Sequence, residues 1–175
     1  MPDTTTLPAW CRLDRDLSVI KLQIRDAPDA GDRLAALLGV APPSPQRFTT
    51  ADRHLLAAIA PGEWLLTGTV DDGPAMAARI NAAMHGETAL ILDVTDGVIA
   101  LQLEGAPATA CLAAYTALDL RETTMPCGCA VRTRFGDIGV FVARTGDAPH
   151  YRLIADQSYA PYLIELIARS DRPPL

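Results

Sequence analysis

Aromatic residues are scarce, at 5% of 175 residues. The core must therefore rest on Ala, Leu, Ile and Val. Lysine is scarcer still, with Lys21 as the only one, and the formal net charge is -6. No basic run exceeds two residues, so the basic stripe of a dedicated nucleic-acid binder is missing. The same deficit excludes attraction to an anionic membrane surface. No apolar run approaches the ~18 residues of a membrane-spanning helix. Met1 to Pro8 lacks the positive start and apolar centre of a secretory signal. Also missing are a Gly-x-Gly-x-x-Gly fingerprint, a phosphate loop and a Gly-x-Ser-x-Gly elbow. These absences lead to the expectation of a cytoplasmic protein that binds neither nucleic acid nor membrane.

What is present is average for a soluble globular chain, with 49% hydrophobic and 21% charged residues. A chain of this length buries about 70% of its unfolded surface and needs no disulfide or metal to fold. The four cysteines, Cys11, Cys111, Cys127 and Cys129, are expected to stay reduced in a cytoplasm. Cys127-Gly128-Cys129 is spaced more tightly than structural zinc ligands or redox pairs. It reads as a glycine turn between two small side chains, with zinc or a disulfide as the alternative.

Residues 1–16 read as a partly ordered leader. In the first half, 17–96, Leu17 to Ile24 reads as a strand with one wet face. Ala30, Leu34, Leu37 and Leu38 lie at helical spacing, with Asp29 as cap and Gly39 as stop. Arg53 to Ala60 is ambiguous between strand and helix. Pro61-Gly62 is a turn, and Glu63 to Val70 a strand. A helix from Pro74 places Met76, Ile80, Ala83 and Met84 on one face, and Ala89 to Val94 is an apolar strand. In the second half, 97–170, Val98 to Leu103 is a strand and a helix runs from Gly105 to about Ala117. Ala130 to Arg134 and Gly139 to Arg144 form a hairpin around Gly136-Asp137. Tyr151 to Ala155 is a further strand, and Ser158 caps a last helix. Residues 171–175 are a tail. The expected class is α+β, with two ferredoxin-like split strand-helix-strand halves in one compact unit.

Several of these segments, in order, resemble the gamma subunit family of bacterial heterotetrameric sarcosine oxidase. They are Pro61-Gly62-Glu63-Trp64-Leu65-Leu66, then Asp93-Val94-Thr95-Asp96-Gly97 leading into Val98 to Leu103. Gly105, Leu118-Asp119-Leu120, Ala130-Val131-Arg132-Thr133-Arg134 and Ser158-Tyr159-Ala160-Pro161-Tyr162-Leu163 follow. The resemblance implies a fold related to the tetrahydrofolate-binding domain of the glycine-cleavage T-protein. It also implies a complex of alpha, beta, gamma and delta chains that oxidatively demethylates sarcosine to glycine. In that complex FAD, FMN and NAD belong to other chains and zinc to delta. The methyl carbon leaves as formaldehyde or on tetrahydrofolate. The implied role here is a non-catalytic subunit assembled mainly against alpha, with no cofactor of its own. A stand-alone tetrahydrofolate-type binder is the alternative.

The site candidates divide accordingly. Asp93 and Asp96 read as turn residues rather than paired catalytic acids. Asp119 is either a turn residue or, by analogy with the T-protein, a folate contact. Trp64 reads as a core or interface aromatic, with pterin stacking as the alternative. Arg132 and Arg134 share one side of a strand and suit a carboxylate partner or a solvated face. Trp64, Arg132, Arg134, Tyr159 and Tyr162 are the expected partner interface. An apolar patch, and self-association of the isolated chain, follow from that expectation.

Overall fold

The computed structural model describes residues 7–171. The first residues of the expected leader, and the tail beyond Asp171, lie outside the described residues. In chain order the elements are β1 (Cys11–Leu13), β2 (Ser18–Arg25), α1 (Ala30–Leu38), β3 (Phe48–Ala51), β4 (His54–Ala60), β5 (Glu63–Gly68) and α2 (Gly73–Ala83). There follow β6 (Thr88–Asp93), β7 (Val98–Glu104), α3 (Gly105–Tyr115), β8 (Ala130–Phe135), β9 (Ile138–Arg144), β10 (His150–Asp156) and α4 (Ala160–Ser170). The α+β class stands: two antiparallel sheets each carry two helices. The compact units are Arg15–Asp96 and Met1–Asp14 with Gly97–Leu175.

In the first of these units the strand order is β3-β4-β5-β2-β6. Ile20, Leu22 and Ile24 alternate along β2, and with Leu56 and Leu66 they meet Ala30, Leu34 and Leu38 of α1 and Met76 and Ile80 of α2. Strand period two thus meets helix period 3.6 across one face. The wet face expected for β2 is present in its second half, where half-buried Lys21 and Gln23 and exposed Arg25 alternate with buried Leu22 and Ile24. The face closes at the start of the strand, where Val19 is fully buried. Residues 54–60 are a strand. Leu55, Leu56 and Ala57 are all buried there, and such a continuous apolar run hides the period that would separate strand from helix. Asp29 makes no cap bond; its carboxylate instead accepts from Arg33 Nε at 2.9 Å. Gly39 ends α1 in the left-handed region, as expected.

In the other unit the order is β1-β7-β10-β9-β8. Both halves run strand, helix, three strands, helix; the fifth strand follows the last helix as β6 in the first half and comes from the N-terminal side as β1 in the second. The edge beside β7 is taken by β1, which pairs Cys11 with Leu103 and Leu13 with Leu101. Part of the expected leader is therefore a structural strand. Leu101, Leu103, Val140, Val142, Tyr151 and Leu153 pack against Ala108, Cys111 and Leu112 of α3 and Leu163 and Ile167 of α4. Ser158 is not the helix cap. Asp156 is the capping residue, accepting from Ser158 N at 2.9 Å and Ser158 Oγ at 2.6 Å in the 3₁₀ turn that leads into α4.

Candidate functional site

The conspicuous carboxylates are held in turns. Asp93 closes β6 and accepts from Thr95 N at 3.0 Å and Thr95 Oγ1 at 2.6 Å. Thr95 Oγ1 in turn accepts from Val19 N at 3.0 Å, so the turn after β6 is tied to the neighbouring strand β2. Asp156 repeats this arrangement after β10, and its bonds from Ser158 hold its carboxyl below the ordinary range. Asp119 is gripped by the Arg121 side chain and backbone and by Thr124 Oγ1 at 2.9 Å. Those bonds, led by the Arg121 side chain, hold it well below the usual carboxylate range. Asp96 is exposed in the 3₁₀ turn at Thr95–Gly97. A carboxylate with its lone pairs committed to neighbouring amides and hydroxyls serves geometry better than proton transfer.

The cysteine turn is also built from backbone. Cys129 N donates to Pro126 O at 3.1 Å, and Gly128 N to Arg144 O at 3.0 Å. Gly128 has φ 88°. Cys127 is exposed, while Cys11, Cys111 and Cys129 are buried, and all four are free thiols. Among the described residues no group of three or more His, Cys, Asp or Glu could hold a metal.

One polar network escaped the sequence reading. Gln102 Nε2 donates to Asp14 at 2.7 Å, and Arg12 donates to both Gln102 and Glu104. His150 stands 3.4 Å from Glu104, and Arg152 lies 3.5 Å from Asp14. Burial pulls the Arg152 guanidinium below its ordinary range against the opposing pull of Asp14. Pairing of β1, β7 and β10 brings these residues together, and nothing local in the sequence signals it.

The expected interface residues separate by exposure. Trp64 is half-buried and packs against the core of its unit. Tyr162 packs against the other core, and its hydroxyl accepts from Asp137 N at 3.4 Å. Tyr159 is 47% exposed. Arg132 and Arg134 are exposed on the edge strand β8, where Arg134 also donates to Asp137 O at 3.0 Å. Two further apolar side chains stand out, Leu90 and Leu92 on β6, at 49% and 47% exposure. Their segment was legible as an apolar strand, but its exposure was not.

Two units of antiparallel sheet, each with two helices on one face, define a duplicated α+β fold. Residues 27–170 match the sarcosine oxidase, gamma subunit family, and the chain belongs to that family. No curated protein matches the sequence. Among solved structures, a chain of heterotetrameric sarcosine oxidase from Corynebacterium sp. U-96 is similar over 99% of this chain and 92% of its own, at 20% identity and TM-score 0.84. The glycine cleavage system aminomethyltransferase T from Bartonella henselae is similar over 90% of this chain and 44% of its own, at 16% identity and TM-score 0.65. The regulatory subunit of aspartate kinase from Thermus thermophilus is similar over 95% of this chain and 100% of its own, at 13% identity and TM-score 0.50. At such identities these likenesses speak for the fold.

Proposed function

We propose that this chain is the gamma-type subunit of a heterotetrameric sarcosine oxidase, supporting assembly rather than chemistry. The observation that carries this is the family match over residues 27–170. In this reading the complex demethylates sarcosine to glycine, and FAD, FMN, NAD and tetrahydrofolate act on its other chains. The alpha subunit is the main partner, with beta and delta in the same cytoplasmic assembly. Tyr159, Arg132 and Arg134 are exposed and suit the aromatic and arginine-bearing parts of an interface. Trp64 and Tyr162 would act there from half-buried positions.

The test is co-expression with candidate alpha, beta and delta chains, followed by purification through a tag on alpha. The expected result is stoichiometric recovery of this chain and loss of stable, active complex when it is omitted. Three chains that assemble and turn over normally without it would overturn the reading. No helix among the described residues is long and apolar enough to cross a membrane.

A further inference from the structure

Strand β6 ends its sheet beside β2. Thr88, Leu90, Leu92 and Asp93 are exposed, and Ala89 and Ile91 are half-buried. Strand alternation sets Leu90 and Leu92 on one face, opposite Ala89 and Ile91, which pack against the core. Sheet edges in free-standing proteins are blunted by lysine, proline, a bulge or a covering element. Strand β6 has none of the first three. Thr88-Ala89-Leu90-Ile91-Leu92 is uncharged, and its register against β2 runs from Thr88 to Asp93 without a shift. Such a segment is a template for another strand.

The same face carries Lys21, the only lysine of the chain. It is half-buried on β2, with Leu92 across from it on one side and Leu65 on the other. Nearby, Arg25 is paired with Glu63 at 3.2 Å. Lys21 has no ion-pair partner among the described residues. Half-buried among leucines, its ammonium is free to meet a carboxylate from outside.

We propose that β6 docks an extended segment of the partner subunit as an added strand. Its apolar side chains cover Leu90 and Leu92, and one of its carboxylates meets Lys21. This rests on the subunit reading above and names the surface it uses. The added backbone pairs the outward N–H and C=O groups of β6. Strands lie about 4.8 Å apart, which puts the new strand about 10 Å from β2, a span that lysine and glutamate together bridge across Leu92. A second copy of β6 fits less well. It would present Thr88, Leu90 and Leu92 on this face, with Asp93 turned to the other, and so offers Lys21 no carboxylate.

The experiment uses the full-length chain co-expressed with the alpha, beta and delta chains. Carbodiimide joins Lys21 to a touching carboxylate, and mass spectrometry reads the link on the native sequence. The expected product is one link from Lys21 to an Asp or Glu of a partner subunit, absent in Lys21→Met. Leu90→Lys/Leu92→Lys should keep the circular dichroism spectrum and melting temperature of the chain and weaken its association at least tenfold. Val70→Lys, at another exposed apolar position, should leave association unchanged. A wild-type chain that never joins the other subunits overturns the subunit reading, and this surface with it. A wild-type chain that joins, with a double variant that joins equally well, overturns the surface alone. So does a Lys21 link found only between two copies of this chain. Should the double variant unfold, the cross-link on the native sequence decides.

Discussion

The guanidinium of Arg144 donates to the carbonyl of Met125 at 2.9 Å from a position only 4% exposed. It also reaches Asp147 O at 2.8 Å and Gly146 O at 3.3 Å. One side chain thus ties the loop at 116–129 to the turn between β9 and β10. The planar fork suits three diverging carbonyls in a way that a single ammonium cannot.

Arg144→Ala should therefore destabilise the protein by about 2 kcal/mol, since the buried Met125 carbonyl left without a donor costs roughly 1–3 kcal/mol, while the part-buried Gly146 and Asp147 carbonyls can turn to water. Arg144→Lys should recover only part of this. Urea unfolding monitored by circular dichroism measures both. An unchanged midpoint for Arg144→Ala would show that these loops hold without the side chain.

Gly62 and Gly86 separate backbone strain from collision. Both lie in the left-handed region, at φ 70° and φ 88°. A Cβ on Gly62 would stand 2.6 Å from Ile24 O, whereas one on Gly86 would meet nothing within 4 Å. Gly86→Ala should cost only the conformational penalty of about 1–2 kcal/mol. Gly62→Ala should cost clearly more, because the carbonyl of a central strand must move. Equal losses in urea titrations would mean that the collision is absorbed.

Much of this was readable in advance, and the reasons differ from place to place. Gly39, Pro61-Gly62 and Gly136-Asp137 punctuate the chain because their backbone requirements are local, and the elements between them follow. Strands β1 and β3 were missed because three or four residues carry no period. The grouping of Asp14, Gln102 and Arg152 depends on which strands pair, and Arg144 looks in sequence like any strand end. The exposure of Leu90 and Leu92 was not legible in their apolar strand because hydrophobicity says nothing about whether a strand lies at an edge.

The thiols predict a pH dependence. Burial, with a smaller push from Cys111, raises Cys11 to about 12; burial also raises Cys111, against a hydrogen bond from Ser170. In the unfolded chain both ionise near the ordinary value of 9.0. The native preference for neutral thiols is intact below that value. Stability falls as pH rises from about 9 toward 12, where the unfolded chain loses protons first. Cys11→Ala should flatten this alkaline slope. At neutral pH an aromatic disulfide reagent should label Cys127 at once and the three buried thiols only after denaturation. Rapid labelling of Cys11 in the native protein would contradict this burial.

His54 offers a stability gain. Its Nε2 is fully buried and has no hydrogen-bond partner among the described residues. A Cβ on Gly68 would lie 2.9 Å from the ring Cδ2, 3.2 Å from Nε2 and 3.4 Å from Ser18 Oγ. The ring therefore occupies space that exists only because residue 68 is glycine. Replacing an unsatisfied buried nitrogen with an apolar group should help, so His54→Leu is expected to raise stability by about 1 kcal/mol. Gly68→Ala should lower it by about 1–3 kcal/mol through overpacking. In a His54→Ala background the same Gly68→Ala change should cost measurably less, because the atom it strikes is gone. A double-mutant cycle in urea isolates this coupling. If the two changes simply add, the ring is not what requires glycine at position 68.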